Sequence, residues 1–172
     1  MRKALLCLGA SLVALLAYGV LQRSYGQTKT NDEAEIRALH QRYITAFNKR
    51  EVATIMSGYL SGSGLFVFDV TPPRQHVGWE NYKKDWEDLF AAFPGPLHDE
   101  ISDLTITTDG KLAYSHHIES GYFTRRDGSR LNIVVRVTDD YRKINGKWLI
   151  VQEHVSVPVD IDAGKPDLLS KP

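Results

Sequence analysis

Cysteine is almost missing from this chain. Cys7 is the single one, and it lies inside an N-terminal apolar run. Removal of that run would leave no thiol, which excludes disulfides, thiolate catalysis and cysteine metal sites. Net charge is missing too. The 21 Lys and Arg residues are balanced by 21 Asp and Glu, and the two signs are interspersed. A nucleic-acid partner is therefore not expected. No phosphate-binding loop, dinucleotide fingerprint or nucleophile-triad motif occurs, so no cofactor is expected. The histidines show neither HxH nor HExxH spacing, so no metal is expected either. There is no internal repeat and no low-complexity tract.

The chain has 172 residues, enough for one domain with a real core. Its first segment stands apart. Arg2 and Lys3 precede an uncharged apolar run from Ala4 to Leu21, and a polar stretch with Ser24, Tyr25 and Gly26 follows. This pattern reads as a secretory signal peptide over residues 1–26, with cleavage after Gly26. Cleavage after Gly19 is an alternative, as is an uncleaved anchor, the only membrane contact the chain would make. Cys7 comes too early, without a small residue before it, for a lipoprotein site. The expected location is periplasmic or secreted.

Residues 27–31 read as a linker, 32–158 as the domain and 159–172 as a polar, loosely held tail. Thr30 with Glu33 fits a capping box, and Ile36, Leu39, Tyr43 and Phe47 recur at helical spacing. A short helix is expected from Glu51 to about Met56. Glycines and serines between Ser57 and Gly64 mark a loop before a strand from Leu65 to Val70, which Pro72 and Pro73 end. A third helix starts near Trp79. Its stripe of Trp79, Tyr82, Trp86, Phe90 and Phe93 runs up to Pro94-Gly95-Pro96. Four strands follow, 98–107, 111–124, 131–143 and 147–157, separated by Asp109-Gly110, Arg126-Asp127-Gly128 and Asn145-Gly146 turns. Helices first and an antiparallel meander after them give an α+β fold.

Three strings carry a family resemblance: QRYITAFNKREVATI, VFDVTPPRQHVGWENY and RVTDDYRKINGKWLIVQEHVSVP. They resemble the SnoaL-like and ketosteroid-isomerase-like superfamily. That resemblance implies the cone-shaped nuclear-transport-factor-2-like fold, with three N-terminal helices packed on a curved, mainly antiparallel sheet around a small-molecule pocket. It also implies a homodimer. Such a fold does not fix function.

In the isomerases an aspartate on the first strand is the general base. A helix-one tyrosine and a protonated late-strand aspartate hold the enolate oxygen. By this resemblance Asp69 is the base, and Tyr43 and Asp139 are the oxygen-holding pair. Each has another reading. Tyr43 lies on the apolar stripe and can be core. Asp69 can cap the turn at Thr71 or pair with Arg74. Asp140 replaces Asp139 if the register slips by one. The loop before the first strand is longer than in the isomerases. Ligand-binding candidates are His116, Arg136, Tyr141, His154 and Trp86. His116 and His117 are adjacent, so only one faces inward, near Tyr114 or Glu119. Arg136 clamps a carboxylate or pairs with Glu119 or Glu153. His154 is a proton shuttle or a sheet residue. Trp86 reads first as core.

The expected partner is a small apolar or carbonyl-containing molecule. Three functions fit: proton transfer beside a carbonyl, ligand binding without turnover, or an oligomerisation module. For the last, Leu149, Val151, Val155 and Val157 are expected to share one apolar sheet face.

Overall fold

The computed structural model describes residues 31–171. The segment read as a signal peptide, most of the expected linker and the expected Thr30 cap lie outside the described residues. Among the described residues, no helix is long and apolar enough to cross a membrane.

Helix α1 spans residues 31–49. Its 3.6-residue period lines up Ile36, Leu39, Phe47 and, beside them, Ala46 as a buried stripe. The helix ends at Arg50, whose φ of 61° is a conformation usually left to glycine or asparagine. Other bonds hold Arg50 there. Its backbone N–H reaches the Phe47 carbonyl at 2.9 Å, and its guanidinium donates to the carbonyls of Phe90, Phe93 and Gly95. One side chain thus ties the end of α1 to the end of α3. Helix α2 is short, Val52–Met56. Helix α3, Trp79–Ala92, buries Tyr82, Trp86 and Phe90 and stops before Pro94.

The main sheet contains β1 (Phe66–Phe68), β2 (His76–Val77), β3 (Leu97–Thr108), β4 (Leu112–Thr124), β5 (Arg130–Ile144) and β6 (Lys147–Ser156). Their order is β2-β1-β6-β5-β4-β3. Only the β1–β6 pair is parallel; every other neighbour is antiparallel. The sheet is curved and carries the helices on its concave face, the expected α+β architecture. The core lies between them.

Two features were not visible in the sequence. The register of β3 against β4 shifts between Ser102 and Thr105, where Asp103 has φ 56°. That of β5 against β6 shifts between Asp140 and Tyr141, leaving Val151 as the extra residue. The second bulge overturns the expected apolar face on β6. Leu149 pairs with Arg142 on the outer face, whereas Val155 pairs with Val137 and lines the interior. The tail is also more ordered than expected. Strands β7 (Val159–Asp160) and β8 (Lys165–Pro166) form a small ladder, and the Leu168 carbonyl accepts from the Val134 N–H at 2.8 Å.

The first turn of α1 is pinned to the far end of the sheet. Asp32 is buried, and its Oδ1 accepts from Lys143 Nζ at 2.6 Å and Trp148 Nε1 at 3.2 Å. Asp32→Ala is expected to cost about 2 kcal/mol in urea unfolding, since it strands the Trp148 donor and removes a charged acceptor. An unchanged midpoint would show that this contact contributes nothing.

Candidate functional site

Three layers of sequence converge on one cavity of about 370 Å³, within the size range of small-molecule sites. Helix α1 contributes Tyr43 and Phe47. Helix α3 contributes Tyr82, Trp86, Leu89 and Phe93. The concave sheet supplies Leu131, Ile133, Val135, Val137 and Val155. The aromatic rings meet edge-on, Tyr43 against Trp86 at 6.1 Å and Phe47 against Trp86 at 5.6 Å. Exposed Val70, Thr71 and Asp88 mark the rim.

Carboxyl groups furnish the polar part: Asp69 just after β1, Asp99 on β3, Glu119 on β4 and Glu153 on β6. Strand alternation explains their direction. Glu119 shares its face with buried His117, Ser115 and Ala113. Gly121 lies opposite Asp99, and a Cβ there would sit 2.1 Å from the His98 carbonyl, so only glycine allows β3 this close. Asn48 at the end of α1 clamps the same point. It donates to the Asp99 carbonyl at 2.9 Å and accepts from the Asp99 N–H at 2.8 Å. Glu153 accepts from the Tyr59 hydroxyl at 2.7 Å and from the Tyr82 hydroxyl.

Of the residues singled out from sequence, Tyr43, Asp69 and Trp86 line the cavity. Asp139 and Tyr141 are buried behind its wall. There the Tyr141 hydroxyl donates to Asp139 Oδ2 at 2.9 Å and lies 2.7 Å from His40 Nε2 and 2.8 Å from Ser115 Oγ. His117 joins this layer to the cavity, with Nε2 3.1 Å from Glu119 Oε1 and Nδ1 3.9 Å from Asp139 Oδ2. His116, Arg136 and His154 are exposed on the opposite face of the sheet, as is Tyr114. Arg136 therefore pairs with neither Glu119 nor Glu153, which point inward. Sequence reasoning missed Asp99, Glu119, Glu153 and Tyr82 as cavity residues. The signal for Glu153 was there: it alternates with Val151 and Val155, two apolar residues of the same strand.

Among the described residues, His40, His117 and Asp139 are the one group placed to hold a metal ion, with ligand atoms within 4.8 Å of one another. Two of those atoms, His40 Nε2 and Asp139 Oδ2, are already engaged by the Tyr141 hydroxyl.

Burial raises Asp69, Asp99, Glu119, Asp139 and Glu153. Asp99 is pushed up to about 9 by lost hydration and then by Glu119. Glu119 is pushed up to about 8 by burial, then by Asp139 and Asp69, and the Tyr43 hydroxyl works against the rise. Asp139 rises to about 8 by burial and the adjacent Glu153. Glu153 rises to about 7 by burial, although the Tyr59 and Tyr82 donors favour its charged form. Asp69 is raised by burial, partly offset by the Val70 N–H. The histidines go the other way. Burial lowers His40 to about 3 and holds His117 below its ordinary value, so neither supplies a cation at neutral pH.

Residues 36–160 match the SnoaL-like domain, and the chain belongs to that family. An NTF2-like protein of unknown function from Pseudomonas putida is similar over 83% of this chain and 98% of its own, at 29% identity and a TM-score of 0.75. An NTF2-like superfamily protein from Salmonella enterica matches 80% of this chain and 99% of its own, with 18% identity and a TM-score of 0.70. A ketosteroid isomerase-like protein from Erwinia carotovora matches 72% and 93%, with 20% identity and a TM-score of 0.61. The last two likenesses are of fold. No curated protein sequence matches the chain.

The carboxyl shifts set a pH dependence for stability. Above about pH 4 the folded protein holds protons that the unfolded chain has released, so this contribution fades as pH climbs through about 7 to 9. The buried histidines oppose it only below their ordinary value of 6.5. Between pH 6.5 and 9, Tm is therefore expected to fall, with stability dropping by about 1.4 kcal/mol per pH unit for each proton still held and the slope easing as those protons are lost. Glu119→Gln should flatten the slope. A level or rising Tm would contradict the assignment.

Proposed function

We propose that the chain is an exported small-molecule pocket protein that moves a proton on a bound, largely apolar ligand, with Asp69 as base and Glu119 as acid. One observation carries this reading: an apolar cavity ends on buried carboxyls that differ in environment. Asp69 stands at the rim side, where the Val70 N–H stabilises its charged form. Glu119 is deeper and keeps its proton near neutral pH. A pair of acids whose environments differ this way suits one to accept a proton and the other to donate a hydrogen bond.

On a carbonyl ligand, Asp69 would take the proton from the carbon beside the carbonyl. Protonated Glu119 and the Tyr43 hydroxyl would hold the oxygen on which charge develops. Neutral His117 at 3.1 Å orients Glu119. This differs from the constellation that the family resemblance implies, because Glu119 takes the part of Asp139. The apolar walls exclude water and strengthen each of these interactions. Export rests on the Arg2-Lys3 start and the apolar run after it.

A second reading, ligand binding without turnover, is favoured by the burial of Asp139 away from the cavity. Exchange of α-protons for deuterium in a panel of small ketones, followed by mass spectrometry, separates the two. The enzyme reading expects exchange that Asp69→Asn slows about 100-fold or more. It also expects a rate that rises as Asp69 ionises and falls again near pH 8, as Glu119 loses its proton. Equal exchange by Asp69→Asn would remove Asp69 as base.

A further inference from the structure

Among the described residues, six carboxyl side chains line the cavity, Asp69, Asp85, Asp88, Asp99, Glu119 and Glu153, and no lysine, arginine or histidine lines it with them. Four of the six have local partners. Asp88 pairs with Lys84 at 2.5 Å, Asp85 lies 3.8 Å from His76, Glu153 accepts from two tyrosines, and Glu119 lies 3.1 Å from His117, which burial keeps neutral. Among the described residues, Asp69 and Asp99 have no basic side chain in ion-pair contact. Asp99 is only 7% exposed, and its Oδ2 has no hydrogen-bond partner. A buried carboxyl oxygen left unpaired is costly, and native proteins place such a group where something else completes it.

The walls point the same way. Tyr43, Phe47 and Trp86 line the same cavity, their rings packed against one another. Ring faces carry negative potential and attract cations, and carboxylates supply the full countercharge. Acids plus rings, without a basic residue, form a site for positive charge on an apolar body. A carboxylate, phosphate or sulfate ligand would meet no countercharge from the residues that line it.

We propose that the ligand of this cavity is an organic cation: a hydrophobic amine carried as its ammonium, with the charged end between Asp69, Asp99 and Glu119 and the apolar body along Phe47 and Trp86. This rests on reading the cavity as a ligand site, and of the two readings above it goes with binding without turnover, because an ammonium that ionises Glu119 removes the acid that proton transfer needs. The ammonium supplies the countercharge that the fold leaves out, and the N–H groups fill the vacant acceptor on Asp99.

Binding must then release protons. The groups facing Asp99 and Glu119 are Tyr43 from α1, Asp69 after β1, Glu100 on β3, His117 on β4, Asp139 on β5 and Glu153 on β6. None is a cation at neutral pH, since burial keeps His117 neutral. An incoming ammonium is the first positive charge these acids meet, so they ionise as it enters. Affinity therefore rises with pH from about 6 to about 8.

The test compares tryptamine with tryptophol, which have the same apolar body and differ in carrying an ammonium or a hydroxyl. Calorimetric titration near neutral pH, in buffers of different ionisation enthalpy, reads affinity and protons together. Tryptamine is expected to bind at least about tenfold more tightly, with net proton release. Glu119→Gln is expected to weaken tryptamine about tenfold more than tryptophol. Asp99→Asn makes the same comparison if the first variant does not fold. Tryptophol binding as tightly as tryptamine would overturn the cation and leave the pocket reading standing. Binding of neither at millimolar concentration to folded protein would overturn both.

Discussion

Several carboxyl groups share an interior in which the neighbouring histidines, His40 and His117, are kept neutral by burial, and most features of the site follow from that imbalance. Ionising Asp99, Glu119, Asp139 and Glu153 together would place like charges in a region poor in water. The protein avoids this by keeping protons on some of them. Neutral carboxylic acids can then donate hydrogen bonds as well as accept them. The aromatic walls from α1 and α3 sustain the imbalance, because they exclude the water that would otherwise stabilise the charges. A fold that merely filled its core would have no reason to hold acids there.

The backbone aims these groups with few devices. The bulge on β6 reverses which residues face inward, so Glu153 and Val155 point to the cavity while Leu149 does not. Gly121 and Asn48 bring the edge strand β3 close enough to present Asp99. Behind the wall, the Tyr141 hydroxyl links His40, Ser115 and Asp139. That layer connects to the cavity through His117 and Glu119. It fixes the orientation of Glu119 without exposing a second charged surface.

Much of the fold was legible in the sequence, because periodicity and turn chemistry act locally. The stripe from Ile36 to Phe47, the aromatic row of α3 and the Asp109-Gly110 and Asn145-Gly146 turns each marked an element. Strand β2 and the tail ladder were not legible, since two-residue strands have no period to read. The bulges at Asp103 and Val151 carried no glycine or proline to announce them. The same gap limited the site. Tyr43, Asp69 and Trp86, singled out through pattern and resemblance, line the cavity. Glu119 and Asp99 become visible only when β3, β4 and α1 are brought together in space. Asp139 was expected on the inward face of β5 and is there, but packing puts it behind the cavity rather than in it.

The central claim is that Glu119 keeps its proton at neutral pH because the cavity holds no countercharge. Carbon-detected NMR titration of the Asp and Glu side-chain carboxyls, assigned by Glu119→Gln, measures this directly. The account predicts that the Glu119 carboxyl carbon titrates near pH 8 in the free protein. A midpoint in the ordinary carboxylate range, about 4, would contradict it.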